Sequence, residues 1–191
     1  MEIFRKKIIL ASKSPRRSHL LREAGFDFEI RAKEVDETYP EDLPADEVAP
    51  WLAAKKAEEC ADFLETEDQV LLTADSVVIL DEVIYGKPFD YQDGIRILSK
   101  LSGRVHKVIT GVCLLSKTKK KVFADVAYVH FELLSEEEIR YYLDHYAPFD
   151  KAGAYAIQEW IGLCKISKIE GTYSNIMGLP MELVYKELAD F

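Results

Sequence analysis

The stretch 104–134, RVHKVITGVCLLSKTKKKVFADVAYVHFELL, holds two long runs of β-branched, aromatic and aliphatic residues on either side of a Lys-rich segment. That pattern predicts two long strands joined by a hairpin turn, and two strands so joined pair antiparallel. The rest of the chain alternates strand-like and helix-like segments. Upstream, QVLLTADSVVIL (69–80) is the strongest strand pattern, interrupted by Asp75 and Ser76. DEVIYGKP (81–88) reads as a turn with a short returning strand, and YQDGIRILSKLSG (91–103) as a helix ended by Gly103. Nearer the start, 7–11 reads as a short buried strand and Ser14-Pro15 as a helix entry, with Ser at the N-cap and Pro at the first helical position. Leu20, Leu21 and Ala24 give that helix an apolar face, Gly25 ends it, and FDFEI (26–30) alternates like a strand. A polar loop, KEVDETYPEDLPADE (33–47), leads into a helix expected over 45–64. Downstream, SEEEIRYYLDHY (135–146) has a Ser cap and first-turn acids, GLCKISKIE (162–170) reads as a strand, and SNIMGLPMELVYKELADF (174–191) as a loop-entered closing helix. Alternating elements plus one antiparallel pair predict an α/β fold: a mixed twisted sheet with flanking helices. No repeat, low-complexity tract or linker divides the chain, so 1–191 is expected to be one domain.

Composition narrows the function classes. The chain has 191 residues, 48% hydrophobic and 31% charged, ordinary for a globular protein with one good core or a core split into two lobes. Its net charge of −9 repels duplex phosphates and speaks against general nucleic-acid binding, while leaving room for one small anion in one basic pocket. Cys60, Cys113 and Cys164 are odd in number and widely spaced, which argues against a disulfide framework or a CxxC zinc site and for reduced thiols in a cytoplasmic setting. No apolar run approaches the roughly 20 residues that span a bilayer, and MEIFRKK is not followed by a secretory h-region. The lysines of KTKKK read as a solvated turn.

Several residues stand out chemically. Ser14, Arg16 and Arg17 sit where a strand runs into a helix start, which gathers free N–H groups, a positive dipole end and bidentate donors suited to phosphate. The alternative is a solvated first turn whose arginines pair with nearby acids. Asp75 lies among Leu71, Leu72, Val77 and Val78, where a carboxylate is costly unless paired, hydrogen-bonded or bound to metal; otherwise it caps a strand end. Glu37 could share a divalent ion with Asp75, or be a plain loop acid. Lys56 lies on the apolar side of its helix, with Lys55 as its exposed neighbour, although most helical lysines face solvent. Lys87, between Gly86 and Pro88, is placed to hold an anion. His106 is a candidate acid or base, with a satisfied sheet histidine the plainer reading. Gln158 carries an amide with one donor side and one acceptor side, able to read a base edge.

Taken in order, LASKSPRRSHLL (10–21), VDE (35–37), LAAKKA (52–57), ADSVV (74–78), GKP (86–88), LSGRVHKVITGV (101–112), DKAGAYAIQ (150–158) and GTYSNIMGLP (171–180) closely resemble the motifs of the Maf family. The resemblance runs from about residue 10 to 183. It implies an inosine-triphosphatase-like fold, two lobes around a deep cleft, often as a homodimer. It implies a nucleoside triphosphate pyrophosphatase that uses a divalent cation, Mg2+ or Mn2+, and releases a nucleoside monophosphate and pyrophosphate. By that resemblance Asp75 is the catalytic base, Glu37 and Asp75 hold the metal, and Ser14, Arg16, Arg17, Lys56 and Lys87 bind the triphosphate. Ser76 and Gln158 point to the branch that prefers dTTP and UTP, since uracil and thymine offer N3–H beside a carbonyl that one amide can answer; the family's usual residue at Ser76 is Thr. A second branch prefers 7-methyl-GTP. The family was first linked to septum formation and cell division, so a nucleotide-binding regulator without turnover is the reading from another class. Two departures bear on substrate range: Ala147-Pro148 stands where the family usually has Glu-Pro, and Glu159-Trp160 follows Gln158 where Gly is usual, placing bulk near the base pocket.

Overall fold

In the computed structural model, which describes residues 2–191, the segment Gln69–Leu80 is one unbroken strand, β3. Its burial runs through Val70–Ala74 and again through Val77–Leu80, with Asp75 and Ser76 half-buried between. These two polar residues therefore do not interrupt the strand. Backbone pairing continues through them, because alternation affects the side chains and not the ladder.

Seven strands form one mixed sheet in the order β2-β1-β3-β5-β6-β7, with β4 paired to β3. β1 (Lys7–Leu10) lies parallel to both β2 (Phe28–Ile30) and β3. β4 (Val83–Tyr85) returns antiparallel to β3 across Asp81 and Glu82, both at positive φ (52° and 60°). That is the backbone of a two-residue hairpin turn, built here without the usual Asn-Gly. β5 (Val105–Leu115) and β6 (Lys120–Phe131) are neighbours joined through residues 116–119, the predicted hairpin. β7 (Ile166–Glu170) closes the order antiparallel to β6. The helices are α1 (Pro15–Glu23), α2 (Ala45–Glu59), α3 (Tyr91–Leu101), α4 (Glu136–Tyr146), α5 (Trp160–Cys164), α6 (Tyr173–Met177) and α7 (Met181–Asp190). The mixed α/β sheet with flanking helices is as expected. Two boundaries differ. The helix expected over 45–64 stops at Glu59 and is followed by a 3-10 turn at Ala61–Phe63. Gly162, Leu163 and Cys164 belong to α5 and not to β7, because Glu159 opens a short helix there.

The chain divides into two compact units: residues up to Asp75 with Thr110–Asp125 and Gly178–Phe191, and Ser76–Ile109 with Val126–Met177. The single-domain expectation for 1–191 includes Met1, which lies outside the described residues. Each unit has its own core. In the first, Ile8, Leu10, Leu21, Val70, Leu72, Val112, Leu114, Val184 and Leu188 pack together. α2 lies close on β5 there: a Cβ at Gly111 would stand 2.2 Å from the Pro50 nitrogen, and Pro50, lacking an N–H, offers no donor to that approach. Thr73 Oγ1 donates to the Ala53 carbonyl at 2.7 Å, tying α2 to β3 as well. The lysines of the 117–121 turn are latched within this unit, Lys120 to Glu58 and Lys121 to Glu187, with Lys117 and Lys119 on carbonyls of Glu65 and Asp190. In the second unit, Val78, Ile97, Leu98, Val129, Phe131, Ile139, Tyr142, Leu143 and Tyr155 form the core. Ser135 and Glu138 make the capping box that starts α4.

Candidate active site

In the first unit the charged residues singled out by sequence converge. The register pairs Leu10 of β1 with Leu72 of β3, so β1 ends three positions before Asp75. Asp75 thus lies past the carboxyl end of a parallel neighbour, the end where ligand sites of α/β sheets gather, although it is mid-strand in its own element. Lys56, one helical turn beyond the Ala53 anchor on α2, reaches it: its Nζ donates to Asp75 Oδ1 and, at 2.7 Å, to Glu37 Oε1. The side chains of Lys56 and Asp75 are each 14% exposed, and Glu37 is 48% exposed. One ammonium therefore gathers two carboxylates from separate segments. Lys55 is not the idle neighbour. It donates to Asp36 Oδ2 at 3.2 Å and to the Thr38 carbonyl at 3.0 Å, and lies over the Trp51 ring. Two adjacent lysines thus dock the 36–38 loop.

Ser14 occupies the N-cap position of α1, with Pro15 following it, but its side chain makes no capping bond. The local turn is closed by Ser12 instead, whose buried Oγ accepts from the Ser14 N–H at 3.2 Å and from Arg17 Nη1 at 3.3 Å. Arg17 Nε also donates to the Gly178 carbonyl at 2.8 Å, joining α1 to the segment before α7. Burial pulls the Arg17 guanidinium below the usual arginine range; Asp75 pushes it back up, Arg16 depresses it further, and Glu37 raises it. Those influences place Arg17 and Arg16 in the same electrostatic neighbourhood as the two acids.

Two carboxylates converging on one cation are a chemically suitable start for a hard divalent ion, which would draw its other oxygens from water and phosphate. Among the described residues there is no cluster of three or more His, Cys, Asp or Glu side chains arranged for a metal.

The second unit holds the remaining candidates. Ser76 directly follows Asp75 along β3. Lys87 is exposed. Gly86 before it has open space, since an added Cβ would meet nothing within 4 Å. The Gly86 carbonyl accepts from the Gly153 N–H at 3.1 Å, which fixes this loop to the start of the 153–158 segment. Residues 153–157 are buried and Gln158 is exposed. His106 is a sheet histidine, 1% exposed, with Nε2 2.8 Å from Tyr155 Oη. Burial, with His130 adding to it, holds its pKa down to about 3, so at neutral pH it is an uncharged structural partner and not an acid.

Sequence reading missed Ser12, Tyr142 and the use made of Glu159. Glu159, read as bulk near a base pocket, turns its carboxylate to Tyr142 Oη, which donates to Oε2, and lies 3.6 Å from Lys151 Nζ. Only Ser12 had a local signal, the Ser-Lys-Ser spacing that lets one hydroxyl cap the N–H two residues on. Ala147 sits at the end of α4 in the left-handed region (φ 43°).

A family model described as "Maf-like protein" matches residues 7–191. The chain is 48% identical to a Flavobacterium psychrophilum protein named dTTP/UTP pyrophosphatase, covering 94% of this chain and 91% of that one. A Porphyromonas gingivalis protein of the same name is 47% identical over 97% and 94% of the two chains, and one from Bacteroides fragilis 45% identical over 96% and 95%. Among solved structures, the Staphylococcus aureus Ham1 protein matches 66% of this chain and 72% of its own with a TM-score of 0.48 and 17% identity, too slight a likeness to carry an argument.

Proposed function

The chain belongs to the Maf-like family, and from that premise we propose that it hydrolyses nucleoside triphosphates, dTTP and UTP foremost, to the monophosphate and pyrophosphate. The observation that carries the reading is the half-buried Asp75 carboxylate held inside an apolar strand by Lys56, beside Glu37. The shared name of the relatives supports the substrate class.

In the proposed reaction, water attacks the α-phosphorus and gives its proton to Asp75 Oδ. The bond from the α-phosphorus to the bridging oxygen breaks, and pyrophosphate leaves with that oxygen. Little covalent chemistry falls to the protein, so positioning and charge neutralisation dominate. Ser14, Arg16, Arg17, Lys56 and Lys87 are assigned to the phosphates. Lys56 also fixes the orientation of the Asp75 carboxylate. Arg17, already tied to Ser12 and Gly178, acts as much by holding the α1 entry as by donating to phosphate. Mg2+ or Mn2+ held by Glu37 and Asp75 would neutralise phosphate charge and acidify the attacking water. Ser76 and Gln158 are assigned to the base. The three cysteines are free, which suits a cytoplasmic setting, and no helix among the described residues is long and apolar enough to cross a membrane. We assign a homodimer on the family resemblance.

The test is pyrophosphate release with magnesium from dTTP, UTP, CTP, 7-methyl-GTP and ITP, wild type beside Asp75→Asn. The expected result is that dTTP and UTP lead and that Asp75→Asn lowers kcat on the order of 10³-fold. A lead for 7-methyl-GTP overturns the base assignment. A fully active Asp75→Asn overturns the catalytic one.

A further inference from the structure

Gln158 stands at the corner of a hydrogen-bonded turn. The Glu159 N–H donates to the Ala156 carbonyl at 3.1 Å, making Ala156–Ile157–Gln158–Glu159 a β-turn with Gln158 third. Ile157 is 3% exposed and points into the core, whereas Gln158 faces out. Both ends of this turn meet one atom. Tyr142, on α4 and 0% exposed, accepts from the Ala156 N–H at 3.1 Å and donates its proton to Glu159 Oε2. The Glu159 carboxylate is braced in turn by Lys151, whose Nζ lies 3.6 Å from Oε1 and 2.7 Å from Asp150 Oδ1. α5 presses on the same turn: a Cβ at Gly162 would lie 1.7 Å from the Ile157 carbonyl oxygen. A second phenol, Tyr155, ties the preceding residue to His106 at 2.8 Å.

We propose that Tyr142 is a positioning residue for base recognition, its hydroxyl clamping the two ends of the turn that presents Gln158. The inference rests on the assignment of Gln158 to the base. An amide reads N3–H beside a carbonyl only if it is presented at the right place and angle, because hydrogen bonds weaken steeply once misaligned. A phenylalanine of the same shape would fill the core but release both turn ends. Glu159, with its side chain turned inward, is then part of the recognition scaffold and not an obstacle to the base.

The experiment is steady-state pyrophosphate release by wild type, Tyr142→Phe, Glu159→Ala and Glu159→Gln with UTP, dTTP, CTP and ITP, each protein also unfolded in urea. For Tyr142→Phe the expected result is a KM for UTP raised about tenfold, a preference for UTP over CTP and ITP reduced about tenfold, and kcat within about twofold of wild type, since Asp75 is untouched. Glu159→Ala reproduces this, and Glu159→Gln, which keeps an acceptor for the phenol, stays near wild type. Ile139→Val, a buried change on the same helix, is the control for mere destabilisation and leaves the preference intact. The clamp is overturned if Tyr142→Phe keeps wild-type KM and preference, or if Ile139→Val shifts them equally. An active wild type with an unaltered Tyr142→Phe brings down the clamp alone. A wild type that releases no pyrophosphate from UTP or dTTP brings down the base assignment and the clamp with it.

Discussion

The two units solve opposite problems with opposite materials. In the first, Lys56 holds Glu37 and Asp75, with Arg16 and Arg17 in the same field: a set of formal charges in which the cost of burying the Arg17 guanidinium is offset by Asp75 and Glu37. In the second, the turn at 156–159 rests on Tyr142, Tyr155 and His106, all sealed from water, with the Glu159 carboxylate turned to the Tyr142 hydroxyl and to Lys151, and Gln158 is exposed. The difference teaches where each kind of interaction is useful. Charges placed by long side chains can follow a reacting phosphate. Hydrogen bonds from rigid, buried rings fix a shape.

The largest way to break that contrast is Lys56→Met. Removing the ammonium takes away the hydrogen-bond donor that Asp75 and Glu37 share. Glu37 is half exposed and water screens it, so the stability loss comes mainly from Asp75 and is expected at about 1–3 kcal/mol by urea midpoint. The loss in kcat/KM is expected on the order of 10²-fold, since a positioned positive charge on the phosphates goes with it. Unchanged turnover would mean that the converging carboxylates, and not the lysine, define the first unit's chemistry.

How much of this was legible follows the range of the interactions. The ends of α1 and α4 are written locally, in Ser14-Pro15 and in Ser135 with Glu138, and both were readable. Asp75 was readable as an oddity, a carboxylate among aliphatic residues. Its true situation was not, because what matters is where β1 stops beside it, a fact of register between segments more than sixty residues apart. The Tyr142–Glu159 bond had no local sign at all: a tyrosine on an amphipathic helix looks like any other core residue. Glu159 looked like misplaced bulk for the same reason. The Asp81-Glu82 turn was legible as a turn but not as one with two positive φ angles, since neither residue is the glycine that such a backbone prefers.

A second effect, on stability alone and not on turnover, probes the other side of the comparison. The unfolded chain's histidine takes up a proton as pH falls through about 6.5, while buried His106 resists it until about pH 3. Between those values the unfolded state binds the extra proton, so stability is fully present above the upper limit and is lost as pH drops, by about 1.4 kcal/mol per unit for this one group. His106→Gln, which retains a partner for Tyr155 but does not titrate, removes that contribution. The urea midpoints of wild type and variant, compared from pH 7 to pH 4, should show the wild type falling faster. Parallel curves would mean that His106 is charged or solvated in the folded protein, and the sealed scaffold of the second unit would have to be given up.

The smallest expected effect is also the one that separates strain from clamping. Ala147 ends α4 at φ 43°, ψ 59°, donating its N–H to the Leu143 carbonyl at 3.1 Å, and leads into the segment that carries Gln158. A β-carbon in the left-handed region costs roughly 1–2 kcal/mol, which glycine escapes. Part of that gain is offset because glycine also frees the unfolded chain, so Ala147→Gly is expected to stabilise by about 0.5–1 kcal/mol. The phenol of Tyr142, one turn earlier on the helix, is untouched by the change. Base preference should therefore stay at its wild-type value while the urea midpoint rises. If preference shifted instead, the turn would be positioned by the exit angle of α4 and not by the hydroxyl beneath it, and the weight placed on Tyr142 would move to the helix end.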